Sequence, residues 1–406
     1  MFSIQLINED CTQANGEEWK RHRRMFAANL DERISKTVWT ESCRHASEMI
    51  KYMLKNPGNK TLDGLRSIAI NVIGQAGFNQ SGVWAPTMRN RTGKATTGKA
   101  AFWETFSLTT EMLLEGAFLP TKVMRLPFMP PTLRLMGYHM ERAPIYMKEV
   151  LDEERKALEN ATGRRNNFLS FLLKLSDEEK NSGENGFSLA DDEISGNLFV
   201  FSTAGFETTS NTMGYAVAHL AVYPELQDWI REELRTLDPD PSKWKYEEFE
   251  ILRFFPPVLH SNRSVFKPQQ IVDGNRTRLL TPPMDILISQ LSMHLDPTIW
   301  GADVNEFRPS RWIDESGQLI TPPKGAYIPW SSGPRICPGI KMSQVEFVAT
   351  LTTLFRSARC DPLPTAGIEE PEALRQRLLR VTLDSVSKLS LQIRHANEVH
   401  LRWTAV

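Results

Sequence analysis

Cys337 is the residue of this sequence best placed to do chemistry. It lies in IPWSSGPRICPGIKMSQVE (residues 328–346), with Gly333 four residues before it and Gly339 two after. Pro334 and Pro338 stiffen the turn, and an apolar helical pattern (Ile340, Phe347, Val348, Leu351, Leu354, Phe355) follows at once. Glycines adopt φ > 0 at little cost and let a backbone pass close to a flat ligand. A cysteine at a helix N-terminus has its thiolate favoured by the helix dipole and by unpaired N–H groups, and thiolate is the form that ligates metal. The stretch reads as a socket for a metal-bound sulfur. The plain alternative is a buried structural cysteine in a Gly/Pro turn.

Three more clusters carry candidate chemistry. Ala204, Gly205, Phe206, Glu207, Thr208 and Thr209 sit inside NLFVFSTAGFETTSNTMGYAVAHLAVY, part of the longest helical run (residues 191–223), which is apolar on most sides. Such a helix is a buried central one. A glycine and back-bonding threonines loosen it locally, and the plain reading of the cluster is a packing notch with a surface glutamate. Glu250 and Arg253 stand three apart in FEILRFFPPV, the spacing of a helix ion pair worth only ~0.2–0.5 kcal/mol when exposed. In EEWKRHRRMFAAN (residues 17–29), Trp19 and Arg23 are four apart and share a face. The run Lys20, Arg21, His22, Arg23, Arg24 is a nucleic-acid patch, an anion clamp or, most simply, a solvated face.

The elements that must position these residues are mostly helical. Helical patterns cover residues 17–29, 36–55, 62–78, 100–117, 138–159 and 168–175, then 191–223 and an amphipathic surface helix over 223–237. The Pro-, Met- and Leu-rich stretch 118–137 reads as a connecting loop with buried apolar residues. From Gln269 the pattern turns to strands, QQIVD and LLTPPMDILISQLS about a turn at DGNRT, and residues 380–403 alternate like a hairpin. The fold class is therefore mainly α with small β-sheets; the length alone allows two or three domains.

Composition removes several alternatives. The 406 residues carry a formal net charge of −1, with pI near 6.7, which gives no reason to expect nucleic acid as a partner. Cys11, Cys43, Cys337 and Cys360 show no CxxC spacing, against a zinc site or a disulfide framework and in favour of a reducing compartment. No run of 18 or more apolar residues, signal peptide or internal repeat is present, nor is GxGxxG, Walker A or HExxH.

The decapeptide Trp330-Ser331-Ser332-Gly333-Pro334-Arg335-Ile336-Cys337-Pro338-Gly339 resembles the haem-binding loop of the cytochrome P450 family, Phe-x-x-Gly-x-Arg-x-Cys-x-Gly, with Trp330 where the family has Phe. The resemblance implies one domain over residues 1–406 and a haem-dependent monooxygenase holding haem b (heme b, iron protoporphyrin IX). Cys337 is then the axial thiolate, which pushes electron density onto iron, and Gly339 belongs to the same haem-binding turn. Arg335 is implied to pair with a haem propionate, as are Trp19 and Arg23, which match the family's Trp-x-x-x-Arg helix. AGFETT is similar to the family's oxygen-binding groove, which makes Glu207 and Thr208 the catalytic pair that delivers protons. Glu250 and Arg253, with Arg311 of Pro309-Ser310-Arg311-Trp312, match the family's structural triad behind the haem; a buried carboxylate there needs such partners. His294 resembles a residue that approaches a propionate, though a lone histidine is more often a polar contact.

The resemblance also implies partners: NADPH–cytochrome P450 reductase, met in part by the remaining basic residues of the first helix, with O2 and an apolar small molecule as substrates. Residues 118–137, 199–206, 259–265 and the tail hairpin are implied to line or roof the pocket. The style resembles a filamentous-fungal microsomal member active in secondary metabolism, on the cytosolic face of the endoplasmic reticulum membrane. Two departures stand out. The Trp-x-x-x-Arg helix starts far earlier than in eukaryotic members, which reads as an N-terminally truncated fold without anchor and first strands, and leaves membrane association to a full-length form. WKYEEFEILRFFPPV (residues 244–258) fuses two segments that similar proteins separate by a helix. The rival expectations are a degenerate haem-binding protein without turnover, and a helical scaffold without haem.

Overall fold

The computed structural model describes residues 12, 14–80, 82–86, 119–160, 167–182, 188–236, 249–364, 367 and 370–406. The helix expected over 100–117 and the first part (244–248) of the fused segment 244–258 lie outside the described residues. The architecture is mainly α-helical with small antiparallel sheets, and it divides into two compact units.

The first unit (residues 1–246, 338–384 and 393–406) is built on the helix Asp191–Val222. Asp191, Asp192 and Glu193 fill its first turn, where acidic side chains suit the positive end of the helix dipole. From Thr212 to Val222 every side chain is buried. The helix Thr61–Phe78 packs along it, and Gly205 permits the crossing: a Cβ there would stand 2.8 Å from Ile73 Cδ1. In the same unit Glu32–Met53 lies on Ile340–Ser357. Asp31 caps the former by accepting the Arg33 N–H at 2.9 Å and the Ile34 N–H at 3.4 Å, the usual role of an N-cap carboxylate. Strands Ala358–Pro362 and Leu401–Ala405 pair antiparallel, with Cys360 opposite Trp403.

The second unit (residues 247–337 and 385–392) holds the helix Phe249–Phe254 and two antiparallel pairs. His260–Val265 runs against Met284–Ser289, with His260 opposite Ser289 and Val265 opposite Met284. Gln269–Asp273 runs against Arg276–Leu280 as a hairpin.

Several elements differ from the sequence expectation. The stretch read as a loop contains a short helix, Thr121–Met124, and the helix expected from residue 138 begins at Pro131 and runs to Asn160. Proline is tolerated at a first helical position because its missing N–H would have no partner there. The short helix expected over 168–175 continues to Ser182. At the tail, Glu370 caps the helix Pro371–Leu383 by accepting the Ala373 N–H at 2.7 Å. That helix takes the first residues of the expected hairpin. The remaining strands are Ser385–Ser387, Leu391–Ile393 and Leu401–Ala405, the last paired outside the tail. No described helix is long and apolar enough to cross a membrane.

Candidate functional site

In the second unit, the loop that ends at Cys337 is held by its own backbone and by one histidine. The Ile328 N–H donates to His294 Nε2 at 2.9 Å. Ser331 N donates to Ile328 O at 2.9 Å, Ile336 N to Gly333 O at 3.1 Å, and Cys337 N to Trp330 O at 2.9 Å. Gly333 takes φ +75°, and a Cβ built there meets nothing within 4 Å. Glycine is thus required for conformation at a place that also faces open space. Pro334 and Arg335 complete a 3-10 turn, Arg335 is half-buried, and the Cys337 side chain is exposed and outside any disulfide. The sequence alternative of a buried structural cysteine does not describe Cys337.

Two arginines hold the segment 294–306, which carries His294, from within the unit. Arg253 has no exposed surface and donates to the carbonyls of His294 (3.0 Å), Val304 (2.9 Å) and Glu306 (3.3 Å). Arg311 donates to Asp303 Oδ2 at 3.3 Å and to the carbonyls of Asp303 (3.0 Å) and Glu306 (3.2 Å). Both expected triad arginines therefore converge on Glu306 O. The side chain of Glu250 lies outside the described residues. Asp303, which the sequence reading did not single out, is a carboxylate partner of Arg311; desolvation raises its pKa, but the Arg311 hydrogen bond and the Arg311 and Arg308 charges outweigh that and hold it below the usual range. Burial, and then the Arg253 charge, push the His294 pKa down to about 4. His294 is thus neutral near pH 7 and accepts the Ile328 N–H, an anchoring contact.

In the first unit, the Asp191–Val222 helix departs from full burial along one stripe. Val200, Ala204, Thr208 and Asn211 are accessible, Ala204 most of all, while Phe201–Thr203, Phe206, Glu207, Thr209 and Ser210 are buried. The spacing of four, four and three residues marks a single helix face. Thr208 Oγ1 donates to Ala204 O at 2.7 Å, and Ser210 Oγ to Glu207 O at 3.1 Å. Glu207 is 4% exposed, so it is not the surface glutamate of the bland alternative. Gly205, by contrast, does serve helix packing against Ile73.

Trp19 and Arg23 are both half-buried on the helix Gly16–Asn29. Between them, Arg21 and His22 leave the expected solvated face. Arg21 forms a bidentate ion pair with Glu193 and donates to Ser188 O at 2.9 Å. His22 is fully buried, with Nε2 3.3 Å from Glu193 Oε1 and Nδ1 2.7 Å from Asn197 Nδ2. Desolvation raises the Glu193 pKa, but the Ala190 N–H and Arg21 reverse the sign and keep it low. These contacts fasten the helix bearing Trp19 and Arg23 to the one bearing Glu207 and Thr208. Glu18, His22 and Glu193 also form a cluster with metal-ligand spacing. The network assigns the Nδ1 lone pair to Asn197 and the Nε2 proton to Glu193, and Arg21 already neutralises the carboxylate, so the cluster is complete as an ion network.

The family model described as Cytochrome P450 matches residues 3–383. A phomenoic acid biosynthesis cluster cytochrome P450 monooxygenase of Leptosphaeria maculans is 26% identical, over 90% of this chain and 70% of its own length. Cytochrome P450 monooxygenase 124 of Postia placenta is 29% identical, over 96% of this chain and 75% of its own.

Proposed function

This chain belongs to the cytochrome P450 family, and on that premise we propose that it is a haem-thiolate monooxygenase. It would insert one atom of O2 into an apolar small organic molecule and reduce the other to water. The observation that carries the reading is the exposed Cys337 in a turn shaped by Gly333. An accessible thiol beside a glycine with open space in front of it suits a flat, sulfur-ligated macrocycle. The accessible stripe at Ala204 and Thr208 supports the same reading, because small side chains let such a plane approach a helix.

Haem b, when bound, supplies O2 binding and activation, with the thiolate pushing electron density toward the bond to be cleaved. Cys337 would hold the iron, in the turn that Gly339 completes. Arg335 would pair with a propionate, and Trp19 and Arg23 would hold propionates as well. Glu207 and Thr208 would deliver protons. The Thr208 hydroxyl spends its proton on Ala204 O and so keeps lone pairs to accept one. Arg253 and Arg311, with Glu250, would hold the loop rigid and take no part in the chemistry.

Electrons would come from NADPH–cytochrome P450 reductase. The name of the Leptosphaeria relative, from a phomenoic acid biosynthesis cluster, supports a role in fungal secondary metabolism, and the protein would work on the cytosolic face of the endoplasmic reticulum membrane. Leu126 and Phe128, exposed in the stretch expected to roof the pocket, are compatible with contact to lipid. The test is the carbon monoxide difference spectrum of the reduced, haem-loaded protein. A red-shifted Soret band that Cys337→Ala abolishes is the expected result. A band that survives this substitution refutes thiolate ligation, and a band without reductase-driven oxygen consumption refutes turnover.

A further inference from the structure

Behind the Cys337 loop the aromatic side chains form a file within the second unit. The ring centroids of Trp330 and Tyr327 lie 6.3 Å apart, those of Tyr327 and Trp312 5.0 Å, and those of Trp312 and Trp300 5.2 Å. Trp300 also reaches Tyr327 directly at 6.5 Å. The inner end is tied to the candidate site, because Trp330 O accepts the Cys337 N–H at 2.9 Å. The outer end reaches the surface: Trp300 and Trp312 line a cleft of 240 Å³ with Ile299, Ile320, Pro322 and Pro323. That is less than the ~300–1,000 Å³ of sites for drug-sized ligands, so the cleft suits only a small molecule. Arg308 and Arg311 stand at the same cleft and share the one carboxylate of Asp303, so one positive charge in this trio is left to favour an anion.

Packing alone does not call for these residue types. Phenylalanine or leucine would bury comparable apolar area, yet all four positions carry Trp or Tyr. These are the side chains from which a strong oxidant can withdraw one electron, and neighbours at ring contact exchange electrons readily. Trp330 stands where the resembling motif has Phe, so this chain adds an oxidisable ring at the inner end.

We propose that Trp330, Tyr327, Trp312 and Trp300 form a relay that carries a one-electron oxidising equivalent from the Cys337 site to the surface cleft. The inference rests on the haem reading above. A hydroperoxide that transfers its oxygen atom and leaves as the alcohol or water leaves the haem-thiolate site short of two electrons, and in each of two turns Trp330 supplies one, a proton from water entering the site with it. Tyr327 refills Trp330, Trp312 refills Tyr327, and Trp300 refills Trp312. Tyr327 releases its phenolic proton on oxidation and regains one on reduction. At the cleft a small anionic enediol such as ascorbate gives the last electron and releases one proton to water. Every aromatic residue ends as it began, and in each turn one electron has passed from ascorbate to the site. The relay protects the protein during unproductive cycles.

The experiment treats haem-loaded protein with hydrogen peroxide, freezes it rapidly and records electron paramagnetic resonance, while Soret bleaching is followed with and without ascorbate. Ring-deuterated Tyr and Trp assign the radicals. The expected result is Trp and Tyr radicals in the parent protein and loss of the Tyr component in Tyr327→Phe. Tyr327→Phe and Trp312→Phe are both expected to bleach several-fold faster and to lose protection by ascorbate. Their carbon monoxide bands show that they remain folded and loaded. Loaded variants that match the parent in radical signal and bleaching overturn the relay and leave the haem reading intact. A protein that takes up no haem overturns both.

Discussion

The two regions that carry the candidate chemistry are held by opposite means. In the first unit, the face with Glu207 and Thr208 is part of a long helix whose hydrogen bonds are internal, and its position is set by packing such as Gly205 against Ile73. In the second unit, the Cys337 loop has little regular structure of its own. It is held by its own turns and by His294, which accepts the Ile328 N–H, while Arg253 and Arg311 capture carbonyls of the segment 294–306 that carries His294. A helix tolerates the loss of one neighbour because its ladder remains. A segment held by charged side chains depends on each of them, since buried carbonyls without a donor carry a full desolvation cost.

Replacing Arg253 tests the second mode most severely. Arg253→Met removes the donors from the His294 and Val304 carbonyls in a fully buried place. The expected loss is ~2–6 kcal/mol, from two buried carbonyls left without a donor at ~1–3 kcal/mol each. Urea unfolding of the purified protein measures it. A loss below ~1 kcal/mol, the scale of one ordinary hydrogen bond, would show that the carbonyls find other donors.

Acid compares the two regions through one histidine in each. Burial lowers His219 in the central helix to about 4, and burial together with Arg253 does the same to His294. Both sit near 6.5 when unfolded. Below that value the unfolded chain binds protons that the folded chain refuses, so each contribution is complete above pH 6.5 and is lost as pH falls toward 4. At pH 5 the expected loss is roughly 2 kcal/mol for each histidine. His294→Gln should remove about half of the fall between pH 7 and pH 5. Equal slopes in the parent and in this variant would exclude His294 as a source.

The smallest effect belongs to the packed region. Gly205→Ala places a Cβ against Ile73 Cδ1 and gains ~1 kcal/mol of helix propensity against a packing cost of ~1–3 kcal/mol. The net expectation is a loss of about 1 kcal/mol. Adding Ile73→Val, which trims the clashing methyl, should recover part of it in a double-mutant cycle. Strictly additive effects would break the claim that Gly205 serves this crossing.

Legibility followed the same division. The central helix was readable to its ends because an apolar run opened by acidic residues is a local signal, and the socket was readable because glycines and prolines around a cysteine are local as well. The strand His260–Val265 was not readable as a strand, since HSNRSV lacks an apolar face and is defined by its partner Met284–Ser289. Asp303 was missed because an acidic residue eight positions before an arginine has no helical spacing. Arg21 and His22 were read as solvated with their neighbours, and no local rule says that Glu193 would bury against them.

The sequence by itself determined the fold class, the order of the motifs and which residues are candidates to ligate, protonate or clamp. These follow from residue chemistry and from periods of a few positions along the chain. Only the tertiary structure decided that Gly205 packs while Ala204 is accessible, that Arg253 feeds three carbonyls, and that four aromatic rings between residues 300 and 330 touch in a file. Each depends on segments far apart in the chain meeting in space, where burial and desolvation, rather than local propensity, set the free energy.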